Sequence, residues 1–264
     1  MTLVFSSAGF FIFDNLATYL TIKNSYLGGF WGAFSDLMIL SSVWFPANDK
    51  ETAEMKKTLI RWGLAGLALM CGGAGGEIPM DEVIEQVKAR NMLTTEEAQV
   101  VQRLGGSASV PLIWMFEVFE TNIHKRNLKG ADFKVDKIET VVMRMRGSIG
   151  GVLSAVSSFG LTPLPLVHLM SALVKMQLFL LAIKEGVDIA DICVNDSQGK
   201  LPQIAFCLLM AICTPIIFQG LLEFVIMIRN PFGEDWVDFP TALYHQQVSS
   251  NRIITILKSR LLPD

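Results

Sequence analysis

Three long stretches without a charged side chain limit what this chain can become. Residues 147–174 and 201–222 contain no Asp, Glu, Lys or Arg, and residues 224–228 carry the second stretch on past Glu223. Residues 1–13 are also uncharged, and beyond Asp14 and Asn15 the apolar run continues to Ile22. A helix needs about 20 mainly apolar residues to cross the hydrocarbon core of a bilayer. We therefore expect three membrane spans, at about residues 2–22, 147–174 and 201–228. Several fully buried core helices of a soluble protein are the alternative. Composition favours the membrane: of 264 residues 51% are hydrophobic and 18% charged, against about 25% charged in ordinary soluble domains.

Other function classes lack their signatures. A net charge of -3 leaves no electrostatic footprint for a nucleic acid. Cys71, Cys193, Cys207 and Cys213 lack the paired spacing of metal ligands, and three of them sit in or beside apolar runs. They read as packed thiols rather than a disulfide framework. The three histidines are far apart in the chain, so no metal-ligand spacing arises from them. No basic segment precedes the first apolar run, which gives no support for a signal peptide. A membrane enzyme needs a polar constellation at membrane depth. His168, Gln219 and Glu223 are too few and too scattered to form one, so no enzymatic activity is expected.

Along the chain, Ile12, Leu16 and Leu20 make an i, i+4, i+8 stripe on one face of the first span. Packing against a neighbour is the usual role of such a stripe. Residues 46–50, Pro-Ala-Asn-Asp-Lys, are a polar break. Gly72-Gly73-Ala74-Gly75-Gly76 has neither the preceding strand nor the Gly-Lys-Ser/Thr of a phosphate loop. It reads as a flexible link or a close helix contact. Residues 77–146 are soluble in character, with a helix opening at Pro79 and an N-cap with an acidic first turn at Thr94-Thr95-Glu96-Glu97.

Lys125, Arg126, Lys129, Lys134, Lys137, Arg144 and Arg146 make the approach to the second span basic. That fits the cytoplasmic or equivalent side of a membrane. Two uses are open for these charges: a solvated helix face, or a vestibule that concentrates anions. After the last span, Asn230-Pro231 takes the chain out of its helix and Gly233 allows a tight turn. Glu234, Asp235 and Asp238 then offer the hard oxygen ligands that calcium prefers. An acidic, capped loop at a helix end is the alternative.

Residues 230–235, Asn-Pro-Phe-Gly-Glu-Asp, resemble the signature of the bestrophin anion channels, in which the acidic run after it forms a calcium clasp. Further pieces follow in the family's order. Asn24-Ser25-Tyr26 with Phe30-Trp31 resembles the Asn-x-x-Tyr-x-Arg-Trp-Trp region that closes the second membrane helix, without its arginine. Lys56-Lys57-Thr58-Leu59-Ile60-Arg61-Trp62 is similar to a basic Thr-Leu-Ile-Arg-Tyr segment. Pro79-Met80-Asp81-Glu82-Val83-Ile84 with Thr94-Thr95-Glu96-Glu97 resembles a Pro-x-Met-Asp…Leu-Thr-x-Glu-Glu region, and Val110-Pro111…Trp114 a buried Val-Pro-x-x-Trp element. Arg146-Gly147-Ser148-Ile149-Gly150 and Pro165-Leu166-Val167 resemble the entry and a later part of the third membrane helix. Between them the usual Tyr-Asp-Trp is missing, and the interval is longer by about one helical turn. The family's N-terminal segment and first membrane helix have no counterpart in these residues.

The resemblance implies an all-α, multi-span helical membrane protein of the bestrophin type, with a cytosolic helical region. One channel domain would cover residues 1–264, with the soluble helical region at about 46–146 and the acidic clasp and tail at 229–264. It implies a lipid-embedded homopentamer that conducts chloride or bicarbonate. Aligning Tyr26 with the family tyrosine puts Ile12, Leu16 and Leu20 at the hydrophobic pore neck, and a slip of one residue would substitute Phe13, Ala17 and Thr21. A gap-free count back from Arg146 brings Phe133 or Val135 to the narrow aperture. For calcium, Asp235 and Asp238 would supply side-chain oxygens, Met227 and Asn230 backbone carbonyls, and Glu234 or water the rest of the shell. Trp236 and Val237 stand where the family carries acidic residues, so a weak or incomplete site is expected. A non-conducting subunit, or an assembly or regulatory membrane protein, is the alternative. No targeting segment marks the host membrane as plasma, thylakoid or another organelle.

Overall fold

A computed structural model describes residues 2–46, 50–76, 78–156, 164–195, 200–228 and Phe232. Every regular element among these residues is helical. The chain groups into two compact units, one of residues 1–19 and 159–230, the other of residues 20–158 and 231–264.

Helix α1, Thr2–Thr21, coincides with the first expected span to within a residue. The chain does not leave its helix there. Thr21, Leu27 and Gly28 keep right-handed helical dihedrals across a six-residue π-helical segment, Ile22–Leu27, and the path continues as α2, Gly28–Trp44. A π segment inserts an extra residue into the helical repeat and rotates the faces on either side of it. Ile22 and Leu27 turn inward here and are buried.

In the larger unit α2 is followed by α3 (Lys50–Gly75), α4 (Met80–Ala89), α5 (Thr95–Arg103), α6 (Val110–Lys125) and α7 (Ala131–Ser154). Both expected helix starts are present. Pro79 precedes α4. Thr94 caps α5 through a reciprocal pair in which the Glu97 amide donates to Thr94 Oγ1 at 3.2 Å and the Thr94 amide to Glu97 Oε2 at 2.7 Å. Gly130 takes the left-handed conformation (φ 69) that starts α7, one that a side chain would disfavour. Phe30, Phe34 and Leu37 of α2, Leu59, Leu67 and Met70 of α3, Met115 and Phe119 of α6, and Ile138 and Met145 of α7 are fully buried. Each such side chain contributes about 1.5–3 kcal/mol on leaving water, so this core is what holds the unit together.

The glycine cluster is the end of α3 rather than a flexible link. A Cβ on Gly72 would lie 2.4 Å from a methyl of Val83 in α4. The close-contact reading is therefore the right one, because α3 and α4 approach to a distance only glycine permits.

The smaller unit holds α8, Leu164–Asn195, and α9, Lys200–Ile228. They pack through Val174 and Leu222, with Met170, Leu178 and Phe218 around them. Within stretch 147–174 the described residues carry α7 to Ser154, two π-type residues after it, and α8 from Leu164. Pro165 lies in the first turn of α8, a place where the missing amide proton costs nothing. Among the described residues α9 is the one helix long and apolar enough to cross a membrane, over Leu201–Val225, and only 6% of that window is buried. A core helix of a soluble protein would be mostly covered. Phe206, Leu209, Ile212, Ile216 and Ile217 are instead exposed.

Candidate functional site

The stripe expected at the neck lies in one unbroken helix, with Ile12 and Leu16 half-buried and Leu20 44% exposed. At the slipped register Phe13 is 69% exposed, Ala17 half-buried and Thr21 exposed. Asn15 lies between them and donates its side-chain amide to the Phe11 carbonyl at 2.8 Å. Its polarity is thereby partly satisfied within the helix. Both residues expected at the aperture lie in the first two turns of α7, Phe133 69% exposed and Val135 half-buried. Among the described residues nothing covers most of this phenylalanine.

The expected calcium ligands fall mostly outside the described residues: Asn230, Glu234, Asp235 and Asp238 all do. Met227, half-buried, sits in the last turn of α9, where backbone carbonyls lack helical partners. Phe232, in the middle of the signature, is half-buried in a turn. No group of three or more His, Cys, Asp or Glu is arranged to hold a metal among the described residues.

The basic approach to α7 divides into two sets. Lys125 pairs with Glu51, Arg126 donates to Thr52 Oγ1 at 2.8 Å and lies over the Phe45 ring, Lys134 lies over Trp44, and Arg144 pairs with Asp36 at 2.9 Å. These four tie α6 and α7 to the first turn of α3 and to α2. Lys129, Lys137 and Arg146 are exposed and form no ion pair among the described residues.

Two pairings join motifs that are remote in sequence. Arg61 forms a two-pronged ion pair with Glu97, its Nη2 donating to Oε1 at 2.7 Å and its Nη1 to Oε2. Trp62 Nε1 donates to the same carboxylate at 2.9 Å, and Arg61 Nη1 also reaches the Met92 carbonyl at 3.1 Å. Burial pushes the Glu97 carboxyl up, but the Arg61, Thr94 and Trp62 hydrogen bonds and the guanidinium charge outweigh it and hold it at about 2. Elsewhere, a Cβ on Gly151 of α7 would lie 2.4 Å from the Tyr26 ring. Tyr26 thus packs flush against the glycine segment at the entry to the expected second span.

Sequence reasoning missed the Arg61–Glu97 pair. Its signal was present, in a Thr-Leu-Ile-Arg piece and a Leu-Thr-x-Glu-Glu piece that each carried one partner. The cap accounted for Glu97 fully, which hid its second role.

The sequence profile of a family described as "Bestrophin, RFP-TM, chloride channel" matches residues 27–253. No curated protein matches. Among solved structures, the crystal structure of a membrane protein superposes with TM-score 0.74 at 11% identity, over 97% of this chain and 84% of that one. Two structures of a bacterial bestrophin homologue from Klebsiella pneumoniae, each carrying a mutation, give TM-scores of 0.71 and 0.69 at 12% and 13% identity. Both cover 97% of this chain and 86% of their own. Identities this low speak for the fold alone, and it is the profile match, spanning most of the residues, that decides the family. With its helical frame and the open apolar surface of α9, the chain belongs to the bestrophin family of chloride channels.

Proposed function

We propose that this protein is an anion-channel subunit that conducts chloride or bicarbonate, with several copies of α1 around one axis. The observation that carries the reading is the family match over residues 27–253. One chain cannot enclose a pore lined by a single helix, so the reading requires an oligomer, a homopentamer by family likeness. Its neck would be Ile12, Leu16 and Leu20, a ring that blocks ions when dry and passes them when wetted, with no tight anion site. Phe133 or Val135 would form the second constriction. Lys129, Lys137 and Arg146, which form no ion pair among the described residues, would raise the local anion concentration on that side.

Calcium would bind at the loop after α9, through Asp235 and Asp238 with the Met227 and Asn230 carbonyls, and Glu234 or water completing the shell. Four protein ligands are fewer than the six to eight oxygens calcium takes, so weak affinity is expected. Purified protein reconstituted in planar bilayers tests conduction directly. Anion currents that rise with calcium are the expected result. Correctly assembled protein that passes no anion at any calcium level would overturn the channel reading and leave a non-conducting subunit.

A further inference from the structure

Helices α6 and α7 are joined through residues 126–130 and pack against each other, so they run in opposite directions. Around the start of α6 they part to leave a cavity of about 450 Å³. Ser109, Leu112, Ile113 and Phe116 line its α6 side. Glu139, Val142, Met143 and Arg146 line its α7 side. Each set has the i, i+3, i+4, i+7 spacing of one helical face. Leu112 and Val142 are buried and form the floor, while Ile113 and Met143 are more than half exposed and form open apolar walls.

The two ends of this apolar trough differ in charge. Because the helices are antiparallel, Arg146 stands at the Ser109 end, which Ser107 also lines. Glu139 stands at the Phe116 end, and seven residues of helix set it about 10 Å from Arg146 along α7. Neither forms an ion pair among the described residues. The Val110, Leu112 and Ile113 amides already donate to the Ser107 and Ser109 carbonyls, and the Ser109 amide to Ser107 Oγ at 3.4 Å. The donors at this end are therefore the Arg146 guanidinium and the two seryl hydroxyls, neither of which donates a hydrogen bond among the described residues.

We infer that this cavity binds a medium-chain monocarboxylate, with its carboxylate on Arg146, Ser107 and Ser109 and its uncharged end toward Glu139. The inference goes beyond the channel reading and does not depend on it. A planar guanidinium matches a carboxylate with two parallel hydrogen bonds. A mainly apolar cavity of this size with a few polar groups at one end is the usual make-up of a small-molecule site. The distance between the charged ends is close to the extended length of octanoate. Glu139 supplies selectivity by repulsion, since a second carboxylate on the ligand would lie against its own.

Sodium octanoate and disodium suberate, the dicarboxylate of the same chain length, are titrated calorimetrically into purified full-length protein, with detergent solution alone as the blank. Octanoate is expected to bind the wild type, and Arg146→Gln to weaken it about 10–100-fold. Suberate should bind the wild type at least ~10-fold more weakly than octanoate, and Glu139→Gln should narrow that gap. Both substituted residues are exposed, and an unchanged oligomer size checks that the fold is kept. If Arg146→Gln fails to assemble, Met143→Glu on the exposed wall is read in its place and should abolish octanoate binding. Wild-type octanoate affinity in the assembled variant, or no octanoate binding to the folded wild type, would overturn the proposal. So would suberate binding the wild type as tightly as octanoate, because Glu139 would then not face the ligand.

Discussion

Glu97 has more asked of it than any other described carboxylate. It closes the cap of α5 and, through Arg61 and Trp62, binds α5 to the middle of α3. Hydrogen bonds to a charged group contribute about 1.5–3 kcal/mol each to stability, and several converge on this one carboxylate. Removing it also leaves a guanidinium poorly satisfied in a half-buried position. Glu97→Ala is therefore expected to cost about 3 kcal/mol, read as a lower midpoint of thermal or denaturant unfolding. An unchanged midpoint would mean that solvent already screens the pair. The pH dependence follows from the lowered pKa. The folded protein holds the group at about 2 against an ordinary value of 4.5, so its contribution is fully present above 4.5 and is lost as pH falls through about 2. Acid unfolding of the wild type should steepen within that window, and Glu97→Gln should flatten it.

At the level of elements, the π-helical segment Ile22–Leu27 carries the distinctive contact. The π segment places Tyr26 against Gly151 of α7. A Cβ 2.4 Å from an aromatic ring forces either the ring or the helix to shift. Gly151→Ala should destabilise by about 1–3 kcal/mol, the usual range for overpacking. Combining it with Tyr26→Ala should recover part of the loss, giving a coupling of about 0.5–3 kcal/mol in a double-mutant cycle. Strict additivity would show that the two helices do not meet through this pair. For α1 itself, Ile12→Ala, Leu16→Ala and Leu20→Ala together should give larger currents that depend less on calcium, since a wider neck wets more easily. A stripe that only packs would instead yield poorly assembled protein, each truncation costing about 2–5 kcal/mol. Unchanged gating in a conducting triple variant points to Phe13, Ala17 and Thr21.

For the whole molecule, the exposed surface of α9 is the dominant fact. Apolar side chains open on several sides of one long helix require lipid, a neighbouring subunit or both. Detergent-solubilised protein is expected to run as a complex of five chains of 29.2 kDa each. A monomer under conditions that keep the protein folded would remove the basis for a pore ringed by α1. The calcium reading is tested on the same assembled material. Asp235→Asn with Asp238→Asn should abolish a weak binding signal, and tight binding that survives the pair would assign calcium elsewhere.

Much of this was readable from the residues because the causes are local. A charge-free run of helical length specifies α9, and Thr94 with Glu97 specifies a capped helix start. What the sequence by itself determined is thus the helical class, the most apolar helix, the caps and the family. Tertiary structure alone decided which motifs meet: Arg61 with Glu97 across 36 residues, and Tyr26 with Gly151. The physical reason is that helical periodicity and turn chemistry act within a few residues, and they say which face is apolar or where a helix must end. Which other helix covers that face depends on side-chain shapes that fit only after the chain has brought distant segments together.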